Sequence, residues 1–312
     1  MGKQGSSETV AFIGVGTMGA IMSGRLLAAG HRVRAFDSSP AALERVVDRG
    51  ADAAESPRDA AAGASAVVLS LPSPGVVEEV VTGSDGVLAA LSSGGVIVDT
   101  STIDPATTRR LHARVAEQGA FFLDAPVSGG VMRAETGELT IMVGGEEEAL
   151  ERCRPLLARL GSNIVHLGPS GSGQVVKLCN NMLLAIILAG LAETLVTGAK
   201  AGVDARTLTN VVRTSTGGNW ALENWLPLTT FADDYSPRFS LDLLYKDVSL
   251  FGGAADGAGV PVPIAAATEE MLKAARSRGL GGLDMTAVVK MYEELADIRV
   301  LENELQGEGD ER

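Results

Sequence analysis

The chain has 312 residues, 46% of them hydrophobic and 21% charged, and its 26 basic and 39 acidic side chains leave a net charge of −13. That length suits two domains at ~150 residues each, and the composition excludes a disordered or fibrous chain. The acidic balance argues against a surface that binds DNA, RNA or an anionic membrane through phosphates.

In chain order, Thr9–Ile13, Arg32–Phe36, Ala66–Leu71, Val96–Asp99, Phe121–Ala125 and Thr140–Val143 read as strands. Several are apolar throughout, as expected when both faces of a parallel sheet are covered. Met18–Ala29, Pro40–Arg49, Gly75–Val81, Thr107–Glu117 and Glu146–Leu160 read as the helices between them. This alternation predicts a doubly wound, parallel-rich α/β domain over residues 9–170.

After the glycine-rich linker Gly168–Gly173 the pattern changes. Gln174–Ala201 reads as one long helix with apolar residues three and four apart, closed by Gly202. Further helices are expected at Ala205–Thr214, Trp220–Leu226, Leu243–Gly257, Ile264–Arg278 and Met285–Leu301, so residues 171–301 should form an all-helical domain. The acidic tail, residues 302–312, is expected to be disordered. The polar N-terminus shows no signal peptide, and the longest apolar run, Met182–Ala192, falls short of the ~20 residues that span a bilayer. Cys153 and Cys179 have no metal spacing and read as two buried free thiols in a reducing, cytoplasmic compartment.

The first strand runs directly into Gly14-Val15-Gly16-Thr17-Met18-Gly19, and a helix follows. In that context Gly14 allows a tight turn and Gly16 lets backbone approach a pyrophosphate. Gly19 permits close helix–strand packing, while the helix N-terminus offers free N–H groups. Asp37 stands 18 residues after Gly19 at the end of the second strand, where a carboxylate can accept both ribose hydroxyls of an adenosine. The same charge repels a 2′-phosphate, so NAD is expected over NADP. Leu71-Pro72 opens another loop at the C-terminal edge of the sheet, either a plain turn or a ligand loop.

Two more strand ends are polar: Asp99-Thr100-Ser101-Thr102 and Asp124-Ala125-Pro126-Val127-Ser128-Gly129-Gly130. The Ser128 hydroxyl and the bare N–H groups of Gly129 and Gly130 suit an anion such as a substrate carboxylate. In the long helix, Lys177 and Asn181 lie four apart on one otherwise oily face. Lys177 is read as meeting the substrate hydroxyl or carbonyl oxygen, its deprotonation eased by desolvation, and Asn181 as orienting the substrate.

Together these blocks resemble the β-hydroxyacid dehydrogenases, a family that includes 3-hydroxyisobutyrate dehydrogenase, tartronate semialdehyde reductase and L-serine 3-dehydrogenase. The matching blocks are Phe12–Gly19, Asp99–Thr102, Asp124–Gly130 and Gly171–Asn181, with Phe239-Ser240-Leu241 leading to Lys246-Asp247 as a fifth. The resemblance runs from about Val10 to Leu301. It implies a Rossmann domain followed by a helical domain that makes a homodimer or homotetramer. It further implies Lys177 as the catalytic lysine, with Ser128, Gly129, Gly130 and Asn181 on substrate. Thr102, Lys246, Leu71 and Pro72 would line the cofactor. No metal is implied. The chain departs from the family's pattern at Arg133, which is open between a second anion contact and a surface residue, and at Glu138. Trp220 and Trp225 are open between pocket walls and core. Imine reductases share the fold but lack the helix lysine. The decarboxylating 6-phosphogluconate dehydrogenases are longer and need a basic phosphate site. His31, His112 and His166 stand in no hydrolase context.

Overall fold

A computed structural model describes residues 8–301. The tail expected at 302–312 and nearly all of the polar N-terminus lie outside the described residues. The chain divides into two compact units, one through Leu178 and one from Cys179.

The first unit alternates strand and helix in the order β1 (Thr9–Ile13), α1 (Thr17–Ala28), β2 (Arg32–Phe36), α2 (Pro40–Val47), β3 (Asp52–Ala53), α3 (Pro57–Ala61), β4 (Ala66–Leu69), α4 (Pro74–Thr82), β5 (Val96–Asp99), α5 (Pro105–Ala116) and β6 (Phe121–Asp124). The six strands form one sheet in the order β3-β2-β1-β4-β5-β6 with every pairing parallel. The order reverses between β1 and β4, the point where open α/β sheets bind ligands beyond their strand ends. Period-two alternation explains why both faces are buried. Val10 and Phe12 enter one apolar cluster and Ala11 and Ile13 the other, all at most 1% exposed.

Beyond β6 come β7 (Val127–Ser128), α6 (Gly130–Thr136), β8 (Thr140–Val143), α7 (Glu147–Leu157) and β9 (Asn163–His166). Here β8 pairs antiparallel with β7 and parallel with β9 in a separate three-stranded sheet. Thr140–Val143 is therefore a strand, but not of the main sheet. His166 ends β9 with its ring Nε2 2.8 Å from the Gly145 carbonyl oxygen.

Helix starts follow a repeated local rule. Ser39-Pro40, Ser56-Pro57, Ser73-Pro74 and Asp104-Pro105 open α2, α3, α4 and α5, each side-chain oxygen accepting an N–H of the first turn. Proline at the first helical position and a short polar cap both suit a helix entry. Helix α1 departs from this rule. Its cap is Gly16, with no side chain on its N–H groups.

The second unit is helical. Helix α8 (Ser172–Lys200) continues into it from the first, followed by α9 (Ala205–Arg213), α10 (Trp220–Asn224), α11 (Leu241–Gly257), α12 (Pro263–Ser277) and α13 (Val288–Ala296). Met182, Ala185, Leu188, Ala192 and Leu195 of α8 build the core with Leu226, Leu241, Leu244, Leu272, Met285 and Val288. Asp284 is fully buried and knits this core. It accepts the Trp225 indole N–H at 2.9 Å, the Arg238 backbone N–H at 3.1 Å and the Thr286 hydroxyl at 2.9 Å.

The structure corrects the expectation that both cysteines are buried, and it separates the two tryptophans. Cys179 is exposed; Cys153 is buried, which pushes its thiol up to about 11. Trp225 belongs to the core, whereas Trp220 is 44% exposed. The run Met182–Ala192 understates the helix that contains it. With 29 residues and a mean hydropathy of 2.0 in its most apolar window, α8 is long and apolar enough to cross a membrane by length and composition. Its buried face is the centre of the second unit's globular core.

Candidate active site

At the glycine turn the three glycines meet three different constraints. Gly14 has φ +88, and a Cβ there would collide with the Ser70 carbonyl. A Cβ on Gly19 would collide with the Gly14 carbonyl, whereas one on Gly16 would meet nothing within 4 Å. So Gly14 and Gly19 are small for packing, and Gly16 leaves open space in front of the uncapped start of α1. That is the cradle a pyrophosphate requires. Asp37 is drawn to the same turn. Its Oδ2 accepts the Val15 N–H and its Oδ1 the Ser39 N–H, both at 2.8 Å. Two backbone donors fix the carboxylate at the end of β2, and Ser39, not Asp37, caps α2. These residues fit the adenosine end of a dinucleotide.

The neighbouring loops are tied to this edge. The Leu71 N–H donates to the Ser101 hydroxyl at 2.8 Å, joining the ends of β4 and β5. Thr102 is half-buried and lies between two anchored peptides. The Gln174 side-chain amide donates to the Ser101 carbonyl oxygen at 2.8 Å, and its oxygen accepts the Ile103 N–H at 3.2 Å.

Asp124, at the end of β6, is fully buried and accepts the Gly171 N–H at 2.8 Å and the Gln174 N–H at 3.1 Å. It therefore caps the start of α8 from another element. A Cβ on Gly173 or Gly144 would press on this carboxylate, so both glycines are required by close approach. Burial raises the Asp124 carboxyl above its usual range, opposed by its backbone donors. Sequence reasoning missed Gln174 and the capping role of Asp124. The available signal was a helix start, Gly171-Ser172-Gly173, with no local acidic cap.

The Asp124–Gly130 segment folds as β7 into α6. Ser128 ends β7, while Gly129 (φ +131) and Gly130 (φ +65) take backbone conformations that only glycine adopts readily. The expected loop is thus the entry to a short helix. Arg25 of α1 holds the far end of α6 through its Nη1, which donates to the Glu135 carbonyl at 2.7 Å.

Lys177, in the first unit, is 9% exposed. It lies on the second turn of α8, after the turn held by Asp124 and Gln174. In the second unit Asn181 is 2% exposed. Its Oδ1 accepts from Asn180 at 3.0 Å, and its Nδ2 donates to Asp247. Lys246 pairs with the other Asp247 oxygen at 3.1 Å. The structure thus gathers Asn181, Lys246 and Asp247 in one cluster, and Gly14–Gly19, Asp37, Leu71 and Thr102 along one sheet edge; Pro72 is exposed beside them.

The chain matches two family profiles, the NAD binding domain of 6-phosphogluconate dehydrogenase over residues 9–168 and the NAD-binding region of NADP-dependent 3-hydroxyisobutyrate dehydrogenase over residues 171–292. It is 41% identical to an NAD-dependent L-serine dehydrogenase of Pseudomonas aeruginosa, over 92% of this chain and 98% of that one. It is 40% identical to a 2-(hydroxymethyl)glutarate dehydrogenase of Eubacterium barkeri, over 94% and 98%. A solved Mycobacterium tuberculosis 3-hydroxyisobutyrate dehydrogenase with L-serine superimposes with a TM-score of 0.84 at 35% identity, over 92% of this chain and 99% of that one.

Proposed function

Since the chain belongs to the β-hydroxyacid dehydrogenase family, we propose that it oxidises a β-hydroxy acid of the 3-hydroxyisobutyrate type to its semialdehyde, reversibly, with Lys177 as general acid/base. The enzyme is an NAD-dependent oxidoreductase acting on hydroxyl groups. A bound NAD would supply the hydride acceptor that oxidation of the carbinol carbon requires. The glycine turn and the start of α1 would hold its pyrophosphate, and Asp37 its ribose. Asp37 also disfavours a 2′-phosphate, so NADP is the weaker cofactor.

The observation that carries this reading is a buried lysine on a helix whose first turn is fixed to the ends of β5 and β6 by Gln174 and Asp124. A neutral Lys177 amine takes the substrate hydroxyl proton as the carbonyl forms; in reduction the ammonium returns it. Ser128, Gly129 and Gly130 hold the substrate carboxylate with neutral donors. Asn181 orients the substrate, its own rotamer fixed by Asn180 and Asp247. Thr102, Leu71, Pro72 and Lys246 would line the cofactor.

L-Serine is the second reading, favoured by the 41% identical L-serine dehydrogenase. The domains proposed are 9–170 for cofactor and 171–301 for substrate and assembly. A homodimer or homotetramer would cover exposed apolar side chains of the helical unit such as Leu183 and Val211. Two free cysteines suit a cytoplasmic location. The test is initial rates of NADH and NADPH formation on 3-hydroxyisobutyrate, L-serine, D-glycerate and 3-hydroxypropionate. Turnover of at least one acid, faster with NAD, is expected; a non-catalytic nucleotide-binding scaffold would turn over none.

A further inference from the structure

Helix α6 carries a cation that the reaction above does not use. Arg133 lies one turn into α6, three residues after Gly130 of the Ser128-Gly129-Gly130 entry. Its stem lies across the bare α-carbon of Gly129, where a Cβ would stand 2.8 Å from Arg133 Cβ and Cδ and 3.2 Å from Cγ. Gly129 is therefore glycine for two reasons, its φ of +131 and the arginine laid over it. The guanidinium lies two bonds beyond this Cδ, and the residue stays exposed.

Two further facts make this more than a solvated surface arginine. Among the described residues, none accepts a hydrogen bond from the Arg133 guanidinium or pairs with it. By contrast Arg25, on the other end of the same helix, is fully engaged. Its Nη1 donates to the Glu135 carbonyl and its Nε to the Arg159 carbonyl, both at 2.7 Å. One arginine pins α6 down; the other is presented by it with its stem laid against Gly129. An arginine so positioned loses less freedom when it binds, and its planar fork matches a carboxylate in two parallel bonds.

The substrate loop itself provides only neutral donors, Ser128, Gly129 and Gly130. These suffice for one carboxylate beside the Lys177 amine. A substrate with a second carboxylate needs a second cation, and Arg133 is placed to supply it. We propose that Arg133 is a specificity-determining residue that selects β-hydroxy acids bearing a second carboxylate, such as 2-(hydroxymethyl)-substituted diacids. This rests on the β-hydroxy acid reading above and narrows its substrate class.

The test compares kcat/KM for 3-hydroxypropionate and for 2-(hydroxymethyl)glutarate with NAD, in wild type, Arg133→Met and Arg133→Lys. Methionine retains the stem over Gly129 and removes the charge. The wild type should favour the diacid. Arg133→Met should lower its kcat/KM about 10- to 100-fold, through KM, while 3-hydroxypropionate changes by less than about twofold. Arg133→Lys should recover part of the loss. Equal effects on both acids, or none on the diacid, would overturn the assignment while leaving the general reaction intact. Failure of the wild type to oxidise any β-hydroxy acid would instead remove the parent reading. Arg133 would then be tested by glutarate against butyrate binding to the NADH complex, where equal affinity for the two in wild type counts against it.

Discussion

Gln174→Leu tests whether helix α8, which carries Lys177, is held in place by buried polar contacts. Gln174 is fully buried, and its amide satisfies two backbone groups on the loop after β5, the Ser101 carbonyl and the Ile103 N–H, at 2.8 and 3.2 Å. Leucine has nearly the same volume and neither polar atom, so both groups lose their partner in a dry environment. An orphaned buried donor or acceptor costs ~1–3 kcal/mol, giving about 2–6 kcal/mol for the pair. In a unit of this size, each kcal/mol lowers Tm by ~2–4 °C, so thermal unfolding followed by circular dichroism should show a drop of about 4–24 °C. Thr102 lies between the two released peptides and Lys177 three residues along the helix. The KM for NAD should therefore rise and kcat fall in the same variant. A Tm within about 2 °C of wild type, with unchanged kinetics, would refute the anchoring role.

Asp124→Asn addresses the other anchor through pH. Burial raises the carboxyl above its ordinary 3.8, so between that value and the raised one the folded chain binds more protons than the unfolded chain. The contribution of Asp124 is therefore greatest at low pH and is lost as pH rises through the folded value. The stability of wild type relative to Asp124→Asn should fall across that window in urea titrations and then level off; a difference independent of pH would contradict the burial argument. Asp37→Ala removes the carboxylate held by the Val15 and Ser39 N–H groups. The ratio of kcat/KM for NAD over NADP should drop at least about tenfold, as expected for one charge-assisted contact and one relieved repulsion. A wild type that prefers NADP would contradict the role given to Asp37.

Much of the first unit was legible because its signals are local. The glycine turn and Asp37 fall within one strand–helix–strand unit, and β1, β2, β5 and β8 have the bounds the apolar runs predict. What was missed had no local pattern. Strand β3 is only two residues, Asp52–Ala53, and β9 is largely exposed, so neither carries an apolar run. Helix α6 starts on two glycines, poor helix formers, and reads as a loop. The helix expected from Met285 to Leu301 starts as a 3-10 turn and stops at Asp297 in the left-handed region (φ 49); beyond it the Glu293 carboxylate takes the Val300 N–H at 2.7 Å. The Gln174 and Asp124 contacts bridge 47 to 73 positions, a separation no periodicity encodes. The residue types of the candidate site were readable, whereas the groups that hold them needed the fold.

The most direct measurement is single-turnover NADH formation by Lys177→Ala beside fluorescence titration of NADH. Positioned proton transfer is worth ~10²–10⁴ in rate. The variant should therefore bind NADH like wild type, turn over at least about a hundredfold more slowly, and recover partly when a small primary amine is added. Hydride transfer at the wild-type rate in that variant would take the proton away from this lysine and leave the chemistry without its base.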